Sequence, residues 1–178
     1  MPMMLFAPLL ALVFLSTTVL AAPPPAISEV TIRYSDPARC HVQMSNTAPF
    51  SGSWVHFLVV EHSYSLFGFS QQEVEKELIQ ALQRGCSTEE HDLTGLTPLQ
   101  AAIMFNDAEM AEILLKHGAD PYALLDRGGK SSKAHGKNSF EFFELLEQAE
   151  ASQLRKPSDK PFRDRSRLKE VLQNYRNQ

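Results

Sequence analysis

The chain contains no C-x-x-C pair, no H-E-x-x-H, no G-x-S-x-G and no glycine-rich phosphate loop. These absences exclude a zinc knuckle or thioredoxin-type redox pair, a zincin helix, a hydrolase nucleophile elbow and a nucleotide cradle. His56, His62, His91, His117 and His135 are scattered without metal-ligand spacing, and Cys40 beside His41 is only a sequence neighbour. No catalysis is expected, and neither a cofactor nor a metal. A net charge of −4 gives no footing for nucleic acid.

Charge is missing altogether from Met1 to Leu20, where an apolar run from Met4 through Phe14 has the length of a signal-peptide core. Val19-Leu20-Ala21 has the small-residue pattern of a cleavage site, so a cut is expected after Ala21, with Ala22 the neighbouring alternative. The competing reading is a retained anchor, because the apolar segment is just long enough to span a bilayer. Either places the folded part outside the cytoplasm, periplasmic or secreted. Thiols are scarce too. Cys40 and Cys86 are the only two, and an oxidising compartment favours joining them.

Three consecutive prolines between Ala22 and Ala26 read as an extended leader. Val30 and Ile32, then Cys40, Val42 and Met44, alternate with polar residues, and Ser35–Arg39 between them suggests a β-hairpin. From Trp54 to Val60 the chain is almost wholly apolar, and length does not separate strand from helix.

Helical grammar is clearer beyond that point. Ser70-Gln71-Gln72-Glu73 is a capping box, Val74, Leu78, Ala81 and Leu82 fall at helical spacing, and Gly85 stops the helix. Asn106-Asp107-Ala108-Glu109 opens another helix, with Met110, Ile113 and Leu114 on its apolar face and Gly118 at its end. Gly85 and Gly118 stand 33 residues apart, a repeat period that points to stacked helix pairs.

The stretch Asp92-Leu93-Thr94-Gly95-Leu96-Thr97-Pro98-Leu99-Gln100-Ala101-Ala102, continuing to Leu114-Leu115-Lys116-His117-Gly118-Ala119-Asp120, resembles one complete ankyrin repeat. Thr97 suits a helix cap, Pro98 a first turn, and Asn106 the left-handed turn between helices. Gln100 stands where the family usually has His, and Asp107 where a second His is common. The flanking repeats are divergent. Ser53-Trp54-Val55-His56 is one candidate opening for the first, and Tyr64-Ser65-Leu66 is the alternative register. Gly136–Phe140 resembles the opening of a third, with helices over 140–146 and 167–175, and polar insertions at 127–137 and 151–166.

The expected fold is therefore mainly α, a short ankyrin solenoid of about three helix pairs capped by a small N-terminal β-hairpin. The segments are 1–21 signal peptide, 22–52 leader and hairpin, 53–91 first repeat, 92–124 clear repeat and 125–178 terminal repeat.

What the resemblance implies is a binding platform for another protein. Carried onto this chain, the finger tips are Leu93, Thr94, Leu96, Tyr122, Leu125 and Arg127, and the exposed first-helix positions are Ala101, Met104 and Phe105. Stoichiometric occupation of a partner is the expected mode, as an immunity-type inhibitor or a helper of an exported enzyme such as a catalase. A monomer is expected, with membrane contact only if the N-terminal segment stays uncleaved. The alternatives are a membrane-tethered scaffold, in which basic residues such as Lys130, Lys133, Arg155 and Arg163 meet lipid, and a thiol redox role for Cys40 and Cys86.

Overall fold

The computed structural model describes residues 40–43, 51–126, 132–152 and 164–176. The signal segment, the leader, the Val30–Arg33 run, Met44 and Arg127 lie outside the described residues. Two strands, β1 (His41–Gln43) and β2 (Ser51–Ser53), precede six helices: α1 (Trp54–Tyr64), α2 (Gln71–Gln83), α3 (Pro98–Phe105), α4 (Ala108–Lys116), α5 (Ser139–Ser152) and α6 (Ser166–Arg176).

The strands pair antiparallel, Val42 opposite Gly52. The expected run from Cys40 thus forms a strand, but Ser51–Ser53 partners it, a segment whose sequence carries no apolar alternation. Proximity to α1 decides this pairing, since both strands touch that helix and Val42 is fully buried against the core.

α1 resolves the apolar stretch as helix. It lacks a polar face because it is buried on nearly every side, against the sheet, α2 and α3. Ser53 stands at its N-cap. Its one buried carboxylate, Glu61, accepts from the backbone amides of Phe67 and Phe69 and so shapes the connection to α2.

Capping follows the sequence closely. Ser70 and Glu73 form the reciprocal box at α2, and Thr97 and Gln100 form another at α3. Asn138 Oδ1 accepts from the amides of Phe140 and Glu141 at α5, while Glu141 accepts from the Asn138 amide. Asn106 adopts φ 61°, the left-handed turn expected of it, and Asp107 then caps α4 by accepting from the Met110 amide at 3.1 Å. Gly85 and Gly118, at φ 91° and 90°, end α2 and α4 where L side chains are strained.

α1 packs on α3 and α3 on α5, while α2 meets α4 and α4 meets α6. Within the first two pairs, α1 lies on α2 and α3 on α4. Leu58, Leu78, Leu99, Ile103, Met110, Leu114 and Leu168 form the continuous core between them. The small Ala101 and Ala102, both buried, let neighbouring helices approach closely. Cys40 and Cys86 form a disulfide with Cα atoms 5.2 Å apart, tying the start of β1 to the residue after Gly85. No helix among the described residues is long and apolar enough to cross a membrane.

Candidate interaction surface

Two loops run beside one another at the N-terminal ends of the first helices. In the loop before α3, Asp92 Oδ1 accepts from the Thr94 amide, the Thr94 hydroxyl and the Leu96 amide, at 2.8, 2.8 and 3.0 Å. Gly95, at φ 79°, lets its amide return to the Asp92 carbonyl. This small closed turn pushes Leu93 out entirely, at 101% relative exposure.

The loop after α4 is held against it. The Asp126 amide donates to the Gly95 carbonyl, Glu89 accepts from the Asp120 amide, and the His91 ring meets the Leu124 carbonyl at 3.3 Å. Gln100 reaches across from α3 and donates to the Ala123 carbonyl at 2.8 Å, so this residue still bonds the neighbouring loop although it replaces the more usual His. Tyr122 and Leu124 project outward, half exposed or more, with the Tyr122 ring edge-on to Phe140 at 5.3 Å.

These loops sort the residues singled out in the sequence. Leu93, Thr94 and Tyr122 are exposed, whereas Leu96, Ala101 and Leu125 are buried to about 1% and belong to the core. The expectation of exposure is corrected for those three. Leu96 and Leu125 are the inward-facing partners of exposed neighbours, and Ala101 faces an adjacent helix. Met104 and Phe105 are half-buried, with Phe105 edge-on to Tyr64 at 5.0 Å. Arg127 is outside the described residues. Leu124 was not among the surface candidates, nor were Tyr64 and Leu66, which stand exposed at the α1–α2 connection.

The basic residues of the carboxy-terminal third divide as well. Arg165 is buried, donating to the Ile103 carbonyl at the end of α3 and to Glu150 on α5. Arg167 pairs with Glu112 and Glu170. Lys130, Arg155, Lys156 and Arg163 lie outside the described residues. Lys133 and Lys137 are in the described loop before α5, Lys133 exposed and Lys137 half-buried.

One buried polar cluster carried no sequence signal. His62 Nδ1 meets Asp107 Oδ2 at 2.6 Å and its Nε2 meets Glu75 at 3.3 Å, while the Ser63 hydroxyl donates to the same Asp107 oxygen at 2.8 Å. Burial opposes a charge on His62, but the hydrogen bonds and charges of Asp107 and Glu75 prevail and raise its pKa above the usual value. The hydroxyl addresses the carboxylate rather than the imidazole, so this is not a nucleophile–base pair. At the other end of α1, His56 is buried with neither ring nitrogen in a well-formed hydrogen bond, and Asp92 lies 4.0 Å away. There burial dominates and lowers the pKa, against the pull of Asp92. Among the described residues no group of three His, Cys, Asp or Glu side chains is arranged to hold a metal ion.

Residues 94–126 match the family model of the ankyrin repeat. The likeness is to a single ankyrin repeat, over 33 of the 178 residues. No curated protein and no solved structure matches the chain. The matched repeat covers the finger turn at Gly95, α3, the Asn106 turn, α4 and the loop out to Asp126. An ankyrin repeat supports a protein–protein interaction module.

Proposed function

We propose that this ankyrin-repeat chain is an exported, non-catalytic module that acts by stoichiometric occupation of a partner protein. The flanking helix pairs extend the matched repeat into a short solenoid, with the two strands closing one end. The observation that carries the reading is Leu93, a fully exposed leucine held at a loop tip by bonds from its own turn. A rigid apolar tip costs little ordering entropy on binding, which suits it to anchor an interface. The Cys40–Cys86 disulfide supports an oxidising compartment, consistent with a cleaved signal segment. Inhibition of a secreted protein and support of an exported enzyme, as in oxidative-stress protection, both fit this mode, and a monomer suffices for either.

The test is chemical crosslinking of the oxidised chain in its native exported fraction, with mass spectrometry, beside a Leu93→Ser, Tyr122→Ser variant. One dominant crosslinked protein, lost in the variant, is expected. The same sample gives the mature N-terminus. A chain beginning at Ala22 fits export with cleavage, and one beginning at Met1 in the membrane fraction would replace the free module by a tethered scaffold.

A further inference from the structure

The charge around Leu93 narrows the chemistry of the partner, an inference that rests on the protein-binding reading. From Gly85 to Asp126 the sequence holds eight Asp or Glu residues against a single Lys and no Arg. That one cation, Lys116, is held by Glu112 on α4 at 2.7 Å. Residues 89–95 and 120–126 carry Glu89, Glu90, Asp92, Asp120 and Asp126, with His91 as the one basic residue among them. Several of these carboxylates shape the loops, yet accepting backbone amides leaves their charge uncancelled. The Asp126 side chain is 80% exposed with His135 3.6 Å away, and Glu90 meets the His41 ring at 3.5 Å. Set within this negative field are three large exposed apolar side chains, Leu93, Tyr122 and Leu124.

We propose that the edge formed by residues 89–95 and 120–126 docks a cationic, apolar protein segment, one in which Lys or Arg side chains flank large apolar ones. The carboxylates raise the encounter rate and exclude anionic partners, including acidic lipid surfaces and nucleic acid. The apolar trio supplies the contact area that carboxylates alone cannot. The same α4–α5 connection carries Lys133 and Lys137 further on, and the Leu125 amide donates to the Lys137 carbonyl, so the sign of the edge reverses beyond Asp126 and the partner's basic stretch lies toward residues 89–95.

Four synthetic peptides of equal length serve as probes against the full oxidised chain: Lys/Leu amphipathic, its Glu/Leu counterpart, Lys/Ser and Gln/Leu. Titration calorimetry at low and physiological salt reads the affinity. The Lys/Leu peptide is expected to bind best. Leu93→Ser with Leu124→Ser should weaken it by about tenfold, and Glu90→Gln with Asp126→Asn by a similar factor with a flatter salt dependence. Tyr64→Ser with Leu66→Ser, at the far end of α1, should leave it unchanged. All six positions are exposed or partly exposed, and thermal melts confirm that each variant folds.

Equal binding of the Glu/Leu peptide, still lost with the leucine pair, would overturn the cationic assignment while leaving a protein-binding edge in place. Lys/Ser binding that equals Lys/Leu and ignores the leucine pair would reduce the edge to diffuse charge attraction and overturn the docking site. Absence of Lys/Leu binding overturns the inference alone, because the crosslinking experiment judges the binding reading independently.

Discussion

The two ends of helix α1 are held by opposite means. At its N-terminal end the Trp54 amide donates to the Cys40 carbonyl, and Cys40 is bridged to Cys86. That end is secured covalently and by a two-stranded sheet, and it tolerates His56 buried without a well-formed hydrogen bond. At its C-terminal end no covalent link exists among the described residues. There His62 is clamped between Asp107 on the cap of α4 and Glu75 on α2, so one side chain joins three elements. The difference teaches that a divergent helix pair can be fastened to a regular ankyrin repeat either by restricting the unfolded chain or by adding a buried charge network. The first works at any pH and fails in reductant, whereas the second works in any redox state and depends on protonation.

The comparison can be broken at the covalent end first. Cys40→Ala with Cys86→Ala opens a loop of 46 residues and should cost about 4 kcal/mol on chain-entropy grounds. Urea melts of the variant and of the reduced parent check it, and a parent insensitive to reductant would show the bridge to be without weight. At the other end, Asp107→Ala leaves the buried His62 Nδ1 without its partner and removes the α4 cap, for a loss of about 3 kcal/mol. A double-mutant cycle with His62→Gln should return strong coupling, because the two changes remove one shared interaction.

A smaller effect of opposite sign is expected at His56. His56→Leu removes buried ring nitrogens that lack good partners and should stabilise by about 1 kcal/mol, whereas His62→Leu should destabilise. Equal signs for the two would erase the distinction between the ends.

The smallest effect is the pH profile. His62, its folded pKa raised, contributes stability that is fully present below about 6.5 and lost as pH rises through the raised value. His56, its folded pKa lowered, contributes stability present above about 6.5 and lost as pH falls through the lowered value. Stability should therefore peak near pH 6.5. His62→Gln should flatten the alkaline side alone and His56→Leu the acid side alone, as equilibrium melts across pH will read.

Much of the helical plan was legible because capping is local. Ser70 with Glu73, Thr97 with Gln100 and Asn106 at its turn each act over a few residues, so their spelling identifies their geometry. Helix α5 runs to Ser152, beyond the expected 146, because its later turns are held by Lys169 of α6 pairing with Glu147 and by Arg165, just before α6, pairing with Glu150. Such long-range pairs leave no local mark. The candidate surface was legible only in part for the same reason. Leu93 and Leu96 are three residues apart in one loop, and sequence gives no reason for one to be fully exposed and the other buried. The hydrogen bonds that Asp92 accepts from Thr94 and Leu96, which face Leu93 outward and Leu96 inward, make that choice.

By itself, then, the sequence determined the central repeat, its caps and turns, the negative charge of residues 85–126 and the absence of known catalytic motifs, all of which depend on residue type at short spacing. Only the tertiary structure decided that Trp54–Tyr64 is helix, that Ser51–Ser53 pairs with His41–Gln43, and that His62 meets Asp107 across 45 residues. Tertiary packing also turned Leu96, Ala101 and Leu125 inward while leaving Leu93 and Leu124 in solvent. The physical reason is one of range: caps are satisfied by their own neighbours, whereas burial and buried charge are settled by whichever distant element arrives to cover them.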